Sequence, residues 1–75
     1  MKIKVKRKHI IDGEPESPLG CPIALALQEY GISNPDVGRK YVELGKKKVQ
    51  LPESAREFIK KFDDGSKVQP FSFEL

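Results

Sequence analysis

One segment of the sequence constrains the fold more than any other. Residues 21–27, with the sequence CPIALAL, carry no charged side chain, in a chain of 75 residues of which 33% are charged. Pro22 suits the first position of a helix, where its fixed φ and missing N–H cost nothing. Gly31 stands where a left-handed C-terminal cap is common. We therefore predict a helix over residues 22–30 that forms the most buried element of the fold.

The length of the chain predicts a single domain over residues 1–75, with a core that stabilises it by only about 3–5 kcal/mol. The lone Cys21 forms no intramolecular disulfide, and with the lone His9 it makes no four-ligand zinc site. Secreted domains of this size usually carry an even set of cysteines, so a reducing compartment is predicted. The basic N-terminal segment precedes no apolar stretch typical of a signal peptide, and no run approaches the ~20 apolar residues of a membrane span. The sequence therefore predicts a soluble, cytoplasmic protein.

Alternation of apolar and polar residues predicts the strands. Lysines alternate with Ile3 and Val5 over residues 2–6, which is typical of a half-buried strand with a lysine face toward water. A short helical turn over residues 7–11 is expected to end at Asp12-Gly13. Residues 40–44 and 47–51 alternate on either side of Gly45-Lys46, which predicts a β-hairpin.

The segments between and after these strands complete the pattern. The prolyl segment 32–37 is predicted to be a turn. Ser54 and Glu57 fit a capping box at the start of a second helix, whose apolar stripe contains Ala55, Phe58, Ile59 and Phe62. Residues 63–65 end that helix, and a final strand follows Pro70 with Phe71, Phe73 and Leu75 on one face.

The resulting order, β-α-β-β-α-β, predicts an α+β fold. In the expected two-layer sandwich, two helices cover one face of a four-stranded, mainly antiparallel sheet, with the first strand beside the last. This arrangement is ferredoxin-like. Because the helices are short for that fold, a simpler, reduced two-layer α+β variant is the alternative.

No residue pattern predicts catalysis, and no cofactor or metal is expected. Cys21 lies at a helix N-terminus, a position that lowers the pKa of a thiol, but a free cysteine more often packs as a small buried residue. His9 follows a basic strand and is interpreted as a surface or strand-end residue. The acidic residues of the loop 14–20 and of Asp63-Asp64 are interpreted as solvated turn residues, without the pattern of a calcium loop.

The lysines are the best candidates for binding. The net charge is +3 and the acids are dispersed through the chain, which favours no dedicated nucleic-acid binder. Lysine-lined strands can nevertheless bind phosphates, and an exposed aromatic residue could stack on a base. The candidate nucleic-acid-binding residues are Lys2, Lys4, Lys6, Lys46, Lys47, Lys48 and Tyr41.

Several segments resemble a family of small hypothetical proteins from bacteriophages and bacterial genomes. They are residues 9–13 (HIIDG), 21–27 (CPIALAL), the run from Ala55 to Gly65 and residues 70–75 (PFSFEL). The family has no assigned activity, so the resemblance implies a phage or prophage setting and no catalytic residues. We expect a non-enzymatic accessory protein that engages a protein partner through its sheet face or a strand edge, with weak nucleic-acid binding as the alternative.

Overall fold

The computed structural model describes all 75 residues and has an α+β architecture of three helices and five strands. The elements in chain order are β1 (Lys2–Val5), α1 (Arg7–Asp12), α2 (Pro22–Tyr30), β2 (Asp36–Val37), β3 (Tyr41–Leu44), β4 (Lys47–Gln50), α3 (Glu53–Asp63) and β5 (Phe71–Glu74). The strands and the two longer helices lie where the sequence predicts them. Two elements are additional: α1 is a full helix, and β2 occupies the end of the predicted turn.

Helix α2 lies at the centre of the core, as predicted. Ile23, Ala24 and Leu27 have no exposed surface. Gly31 ends the helix with φ 114°, a left-handed conformation that residues with a Cβ adopt only with strain. Gly13 allows α1 to approach the start of α2 closely, because a Cβ there would lie 2.6 Å from Cδ of Pro22.

The two ends of the chain form one antiparallel ribbon, β1–β5. Its register pairs Ile3 with Phe73 and Val5 with Phe71. Ile3, Val5 and Phe73 are buried, whereas the alternate residues of both strands are exposed. The ribbon therefore covers the core with one face, and the expected pairing of the first strand with the last is confirmed.

The prediction of one four-stranded sheet is wrong. Strands β2, β3 and β4 form a separate three-stranded antiparallel meander, in which the predicted hairpin β3–β4 pairs Tyr41 with Gln50 and Leu44 with Lys47. The two sheets do not join, because each packs on α2, one through β1 and the other through β2. The predicted order β-α-β-β-α-β, with two helices and four strands, is also wrong. The chain has three helices and five strands, because α1 and β2 are additional elements.

Helix α3 closes the other side of the core. Ala55, Phe58 and Ile59 are buried, as the apolar stripe predicts, and the Phe58 ring stacks on the Phe71 ring with 4.7 Å between centroids. The predicted capping box is wrong: Pro52 is the N-cap and its carbonyl accepts the N–H of Ala55. Ser54 therefore lies inside the first turn, where its side chain caps nothing.

Candidate functional site

The lysine row, which we define as Lys2, Lys4 and Lys6, lies beside a shallow hollow of about 280 Å³. Strand alternation places Lys2 and Lys4 on the exposed face of β1, as predicted, and Lys6 follows β1 as the exposed N-cap of α1. Helix α2 forms the opposite wall with Ala26, Glu29 and Tyr30. These three positions fall on one stripe of the helix, because residues three and four apart share a helix face. The hollow therefore has a cationic wall and a wall with one acid and one aromatic ring.

The backbone hydrogen-bonding groups of β1 also differ in direction from one residue to the next, and some of them point away from β5. Met1 and Leu75 exchange two hydrogen bonds, Met1 N to Leu75 O at 3.2 Å and Leu75 N to Met1 O at 2.9 Å. Bonded and non-bonded pairs alternate along an antiparallel ladder. The N–H and C=O groups of Lys2 and Lys4 therefore point away from β5, and β1 has no second strand partner. The hollow is bordered by a free strand edge as well as by lysine side chains.

Glu29 is the acidic centre of the hollow. Its carboxylate lies 3.0 Å from Nζ of Lys6 and also contacts Nζ of Lys8. Hydrogen bonds from the ammonium groups of Lys8 and Lys6 lower the pKa of Glu29 from 4.5 to about 2. The carboxylate stays charged through the physiological range and neutralises one member of the lysine row, leaving Lys2 and Lys4 without an acidic side-chain partner within ion-pair distance.

His9 is buried, with 4% of its surface exposed, so its interpretation as a surface or strand-end residue is wrong. Its Nδ1 accepts the N–H of Lys6 at 2.9 Å, so that a side chain of the first turn of α1 bonds to the backbone of the N-cap residue. A neutral imidazole that accepts at Nδ1 carries its proton on Nε2, and Nε2 lies 3.6 Å from Oε2 of Glu29 without a hydrogen-bond partner. His9 thus positions the junction of β1 and α1 against Glu29.

Tyr30 is the residue that the sequence reasoning missed. Tyr30 is 55% exposed at the end of the buried helix α2 and lines the hollow beside the lysine row. The polar pair Gln28-Glu29 just before it is the sequence signal that the helix turns outward at this point. An exposed tyrosine beside lysines supplies apolar contact and a hydroxyl for a ligand.

The second lysine group is on the hairpin and does not join the first. Lys46 lies in the turn, and Lys47 and Lys48 follow in β4, all exposed. Nζ of Lys48 lies 4.9 Å from the centroid of the Tyr41 ring, which is 44% exposed. Glu43 pairs directly with Lys48 across the hairpin. The predicted candidates therefore form two surfaces on separate sheets, and the one on the hairpin has an acid in its middle.

Cys21 is a buried helix cap. It is 7% exposed, and its Sγ accepts the N–H of Ala24 at 3.4 Å. Burial raises the pKa of the thiol, and this effect exceeds the opposing effect of the backbone hydrogen bonds. The interpretation of Cys21 as a small packing residue is confirmed. Asp63, interpreted as a solvated turn residue, instead accepts the N–H of Glu16 at 2.9 Å and ties the loop before α2 to the end of α3.

A further hollow of about 350 Å³ lies between α3 and the segment before β3. Four basic and four acidic side chains line it, so its charges balance: Arg39, Lys40, Arg56 and Lys60 with Glu53, Glu57, Asp63 and Asp64. No three histidine, cysteine, aspartate or glutamate side chains converge as a metal site would require. None of the helices has the length and apolar character to cross a bilayer. The hollow beside β1 is therefore the surface with the most definite chemical preference.

Comparisons of the chain with models of protein families, with curated proteins and with solved structures give no match. They therefore leave the resemblance to small phage proteins as a prediction.

Proposed function

We propose that this protein is a non-catalytic binding protein that holds an extended, acidic segment of a protein partner in the hollow between β1 and α2. One observation carries the proposal. The lysine row lines the hollow, and the backbone N–H and C=O groups of Lys2 and Lys4 point to the side of β1 away from β5. An added strand would bond to the backbone of β1, and its acidic side chains on one face would meet the lysines.

The expected affinity is modest. Lys2 and Lys4 offer two N–H donors and two carbonyl acceptors, each bond contributing about 0.5–1.5 kcal/mol. Exposed ion pairs add only about 0.2–1 kcal/mol each. After the cost of ordering an extended chain, a dissociation constant in roughly the micromolar to millimolar range is expected. Such an affinity suits an accessory protein that binds and releases its partner.

We propose the cytoplasm of a bacterial host as the setting, with a phage or prophage origin. The free, buried Cys21 suits a reducing compartment. The origin is supported by the resemblance of residues 21–27 and 70–75 to small phage proteins.

The test is fluorescence anisotropy with a labelled peptide of about eight residues in which glutamate alternates with valine. The triple variant Lys2→Gln, Lys4→Gln, Lys6→Gln is expected to lose binding. The matched control, Lys46→Gln, Lys47→Gln, Lys48→Gln, removes the same charge from the hairpin and is expected to bind almost as the wild type does. Equal losses in the two variants would show that only net charge matters and would contradict the proposal.

A second pair of variants separates the backbone contribution from that of the side chains. Lys4→Gln and Lys4→Pro both remove the ammonium group, but only proline also removes the N–H that faces the hollow. This N–H does not take part in the β1–β5 ladder, so the strand pair can persist. Weaker peptide binding by Lys4→Pro than by Lys4→Gln supports strand addition, and equal binding contradicts it.

Nucleic-acid binding is the second candidate function, favoured by the Tyr41–Lys48 contact on the exposed face of the hairpin. A base could stack on Tyr41 while Lys46, Lys47 and Lys48 meet phosphates. A labelled single-stranded oligonucleotide would then dissociate steeply between about 50 and 200 mM salt. The hairpin triple variant would lose this binding and the β1 triple variant would retain most of it, the reverse of the order expected for the peptide.

A further inference from the structure

The outer edge of β5 is free, and it lies on the opposite side of the ribbon from the hollow. β5 pairs only with β1. The ladder that turns Lys2 and Lys4 outward on β1 also turns the N–H and C=O groups of Ser72 and Glu74 outward on β5. Each of these residues presents one donor and one acceptor along a straight strand. Such an edge is a template for another strand.

The two edges of the ribbon differ in their protection. β1 carries Lys2 and Lys4 and faces the hollow beside α2, which disfavours pairing with a second, equally basic copy of β1 but favours an acidic segment. β5 has Ser72 and a single charge at Glu74. Phe71 and Leu75, on the core side, remain half-buried. The edge of β5 therefore has open backbone groups flanked by apolar surface that is incompletely covered.

We propose that two copies of this chain pair through β5 in an antiparallel, two-fold symmetric dimer. The two ribbons would join into one four-stranded sheet with β1 at both outer edges and β5 at the centre. The proposal concerns the edge opposite the hollow and does not depend on the proposed function. It leaves both hollows accessible at the ends of the sheet.

The chemistry of the strand selects one register. Hydrogen-bonded pairs must join outward-facing residues, so the symmetric choices pair Ser72 with Ser72, Ser72 with Glu74, or Glu74 with Glu74. The first also places Pro70, which has no N–H, opposite Glu74. The third places two carboxylates directly opposite each other, which is unfavourable. Only pairing of Ser72 with Glu74 of the second copy avoids both faults.

That register also matches the side chains on both faces. On the core side, Phe73 meets Phe73 of the second copy, and Phe71 meets Leu75, so that the half-buried apolar residues cover each other. On the outer face, each Glu74 lies between Lys2 of its own β1 and Ser72 of the second copy. No like charges are opposed across the new pairing. This complementarity on two faces at once favours a second copy over a foreign strand.

The dimer is expected to be weak, because two strands of four residues bury less than the ~800 Å² per partner of a typical stable interface. Sedimentation velocity from about 5 to about 500 μM should therefore show a monomer that dimerises reversibly. Ser72→Pro removes an outward N–H and should give a monomer throughout. Lys4→Pro, the matched change on the opposite edge, should dimerise as the wild type does. A wild type that stays monomeric at the highest concentration, or dimerisation lost in Lys4→Pro and kept in Ser72→Pro, overturns the proposal.

Disulfide trapping tests the register in a way that does not depend on proline substitution. Both chains carry Cys21→Ser, which keeps an acceptor at the N-cap of α2. Facing residues of a hydrogen-bonded pair lie about 5.5 Å apart between Cα atoms, within disulfide range. A mixture of Ser72→Cys and Glu74→Cys chains should oxidise mainly to the mixed dimer. Preferential formation of either homodimer would contradict the register, and no cross-link at dimerising concentrations would contradict pairing through β5.

Discussion

The β1–β5 ribbon and the β2–β3–β4 meander use similar strands for different purposes. The ribbon joins residues from the two ends of the chain and buries Ile3 and Val5 almost completely. The meander is built from neighbouring residues, and Leu44 and Val49 in it are only half-buried. Both sheets contribute to the core, since Val37 and Val42 of the meander are also buried, but β4 contributes only the half-buried Val49. We therefore expect substitutions of apolar residues to destabilise the fold more in the ribbon than in β4.

The largest effect that tests this comparison comes from the same substitution in each sheet. Val5→Ala removes two methyl groups from a site with 1% exposure and should lower the free energy of unfolding by about 2–3 kcal/mol. Val49→Ala, at a half-buried site, should lower it by less than about 1 kcal/mol. Urea denaturation followed by circular dichroism measures both. Equal losses would show that β4 packs against the core as tightly as β1 does.

The rate at which Cys21 is alkylated reports how often the core opens, and therefore how much each sheet keeps it closed. The thiol is buried under α2 and its pKa is raised, so iodoacetamide should react slowly with the folded protein. Val5→Ala should speed the reaction roughly 30- to 150-fold, the factor that corresponds to its loss of stability, and Val49→Ala about 5-fold or less. Rapid labelling of the wild type would show that α2 opens locally while both sheets stay folded.

Glu29, which lies in α2 beside the ribbon, should make the stability of the fold depend on pH. Its pKa in the folded protein is about 2, below the ordinary 4.5. A lowered pKa stabilises the fold above pH 4.5, and this stabilisation is lost as the pH falls toward 2. In urea titrations, Glu29→Gln should be less stable than the wild type at neutral pH and should converge with it at the low end of this range. Glu43→Gln on the meander removes a carboxylate opposite Lys48 and is the matched control. A constant difference between Glu29→Gln and the wild type across the range would contradict this assignment.

The smallest expected effect belongs to the Tyr41–Lys48 contact. A cation over an exposed ring contributes about 0.5–1 kcal/mol, so Lys48→Met should lower the free energy of unfolding by about 0.5 kcal/mol. In Tyr41→Leu, which removes the ring, the same lysine substitution should cost nothing further. A double-mutant cycle from urea denaturation gives the coupling. Zero coupling would leave Tyr41 and Lys48 as independent surface residues.

The local signals of the sequence predict the elements well, because each rests on residues close together in the chain. Pro22 and Gly31 mark α2, and Gly45-Lys46 marks the turn between β3 and β4. The assembly of the sheets is not encoded so locally. It depends on α2 lying along β1 and on Val37 pairing with Val42 after a prolyl turn, and no periodicity reveals either contact.

The candidate site, too, is predicted only in part from the sequence. Strand alternation predicts the exposure of the lysine row. The positions of His9, Glu29 and Tyr30 beside that row are set by how the end of α2 packs against the β1–α1 junction. Ser54 shows the limit at a single residue, because the N-cap of α3 is Pro52, two residues before the Ser54 of the predicted capping box.

The joining of Met1 with Leu75 has a consequence for synthesis on the ribosome. While β5 is still inside the exit tunnel, β1 has already emerged and has no strand to pair with. The meander and α2 can begin to form during translation, but the core stays open until β5 has left the tunnel. During that interval the apolar side chains of Ile3 and Val5 are exposed to chaperones and to other nascent chains, and the lysines that alternate with them help to keep β1 in solution.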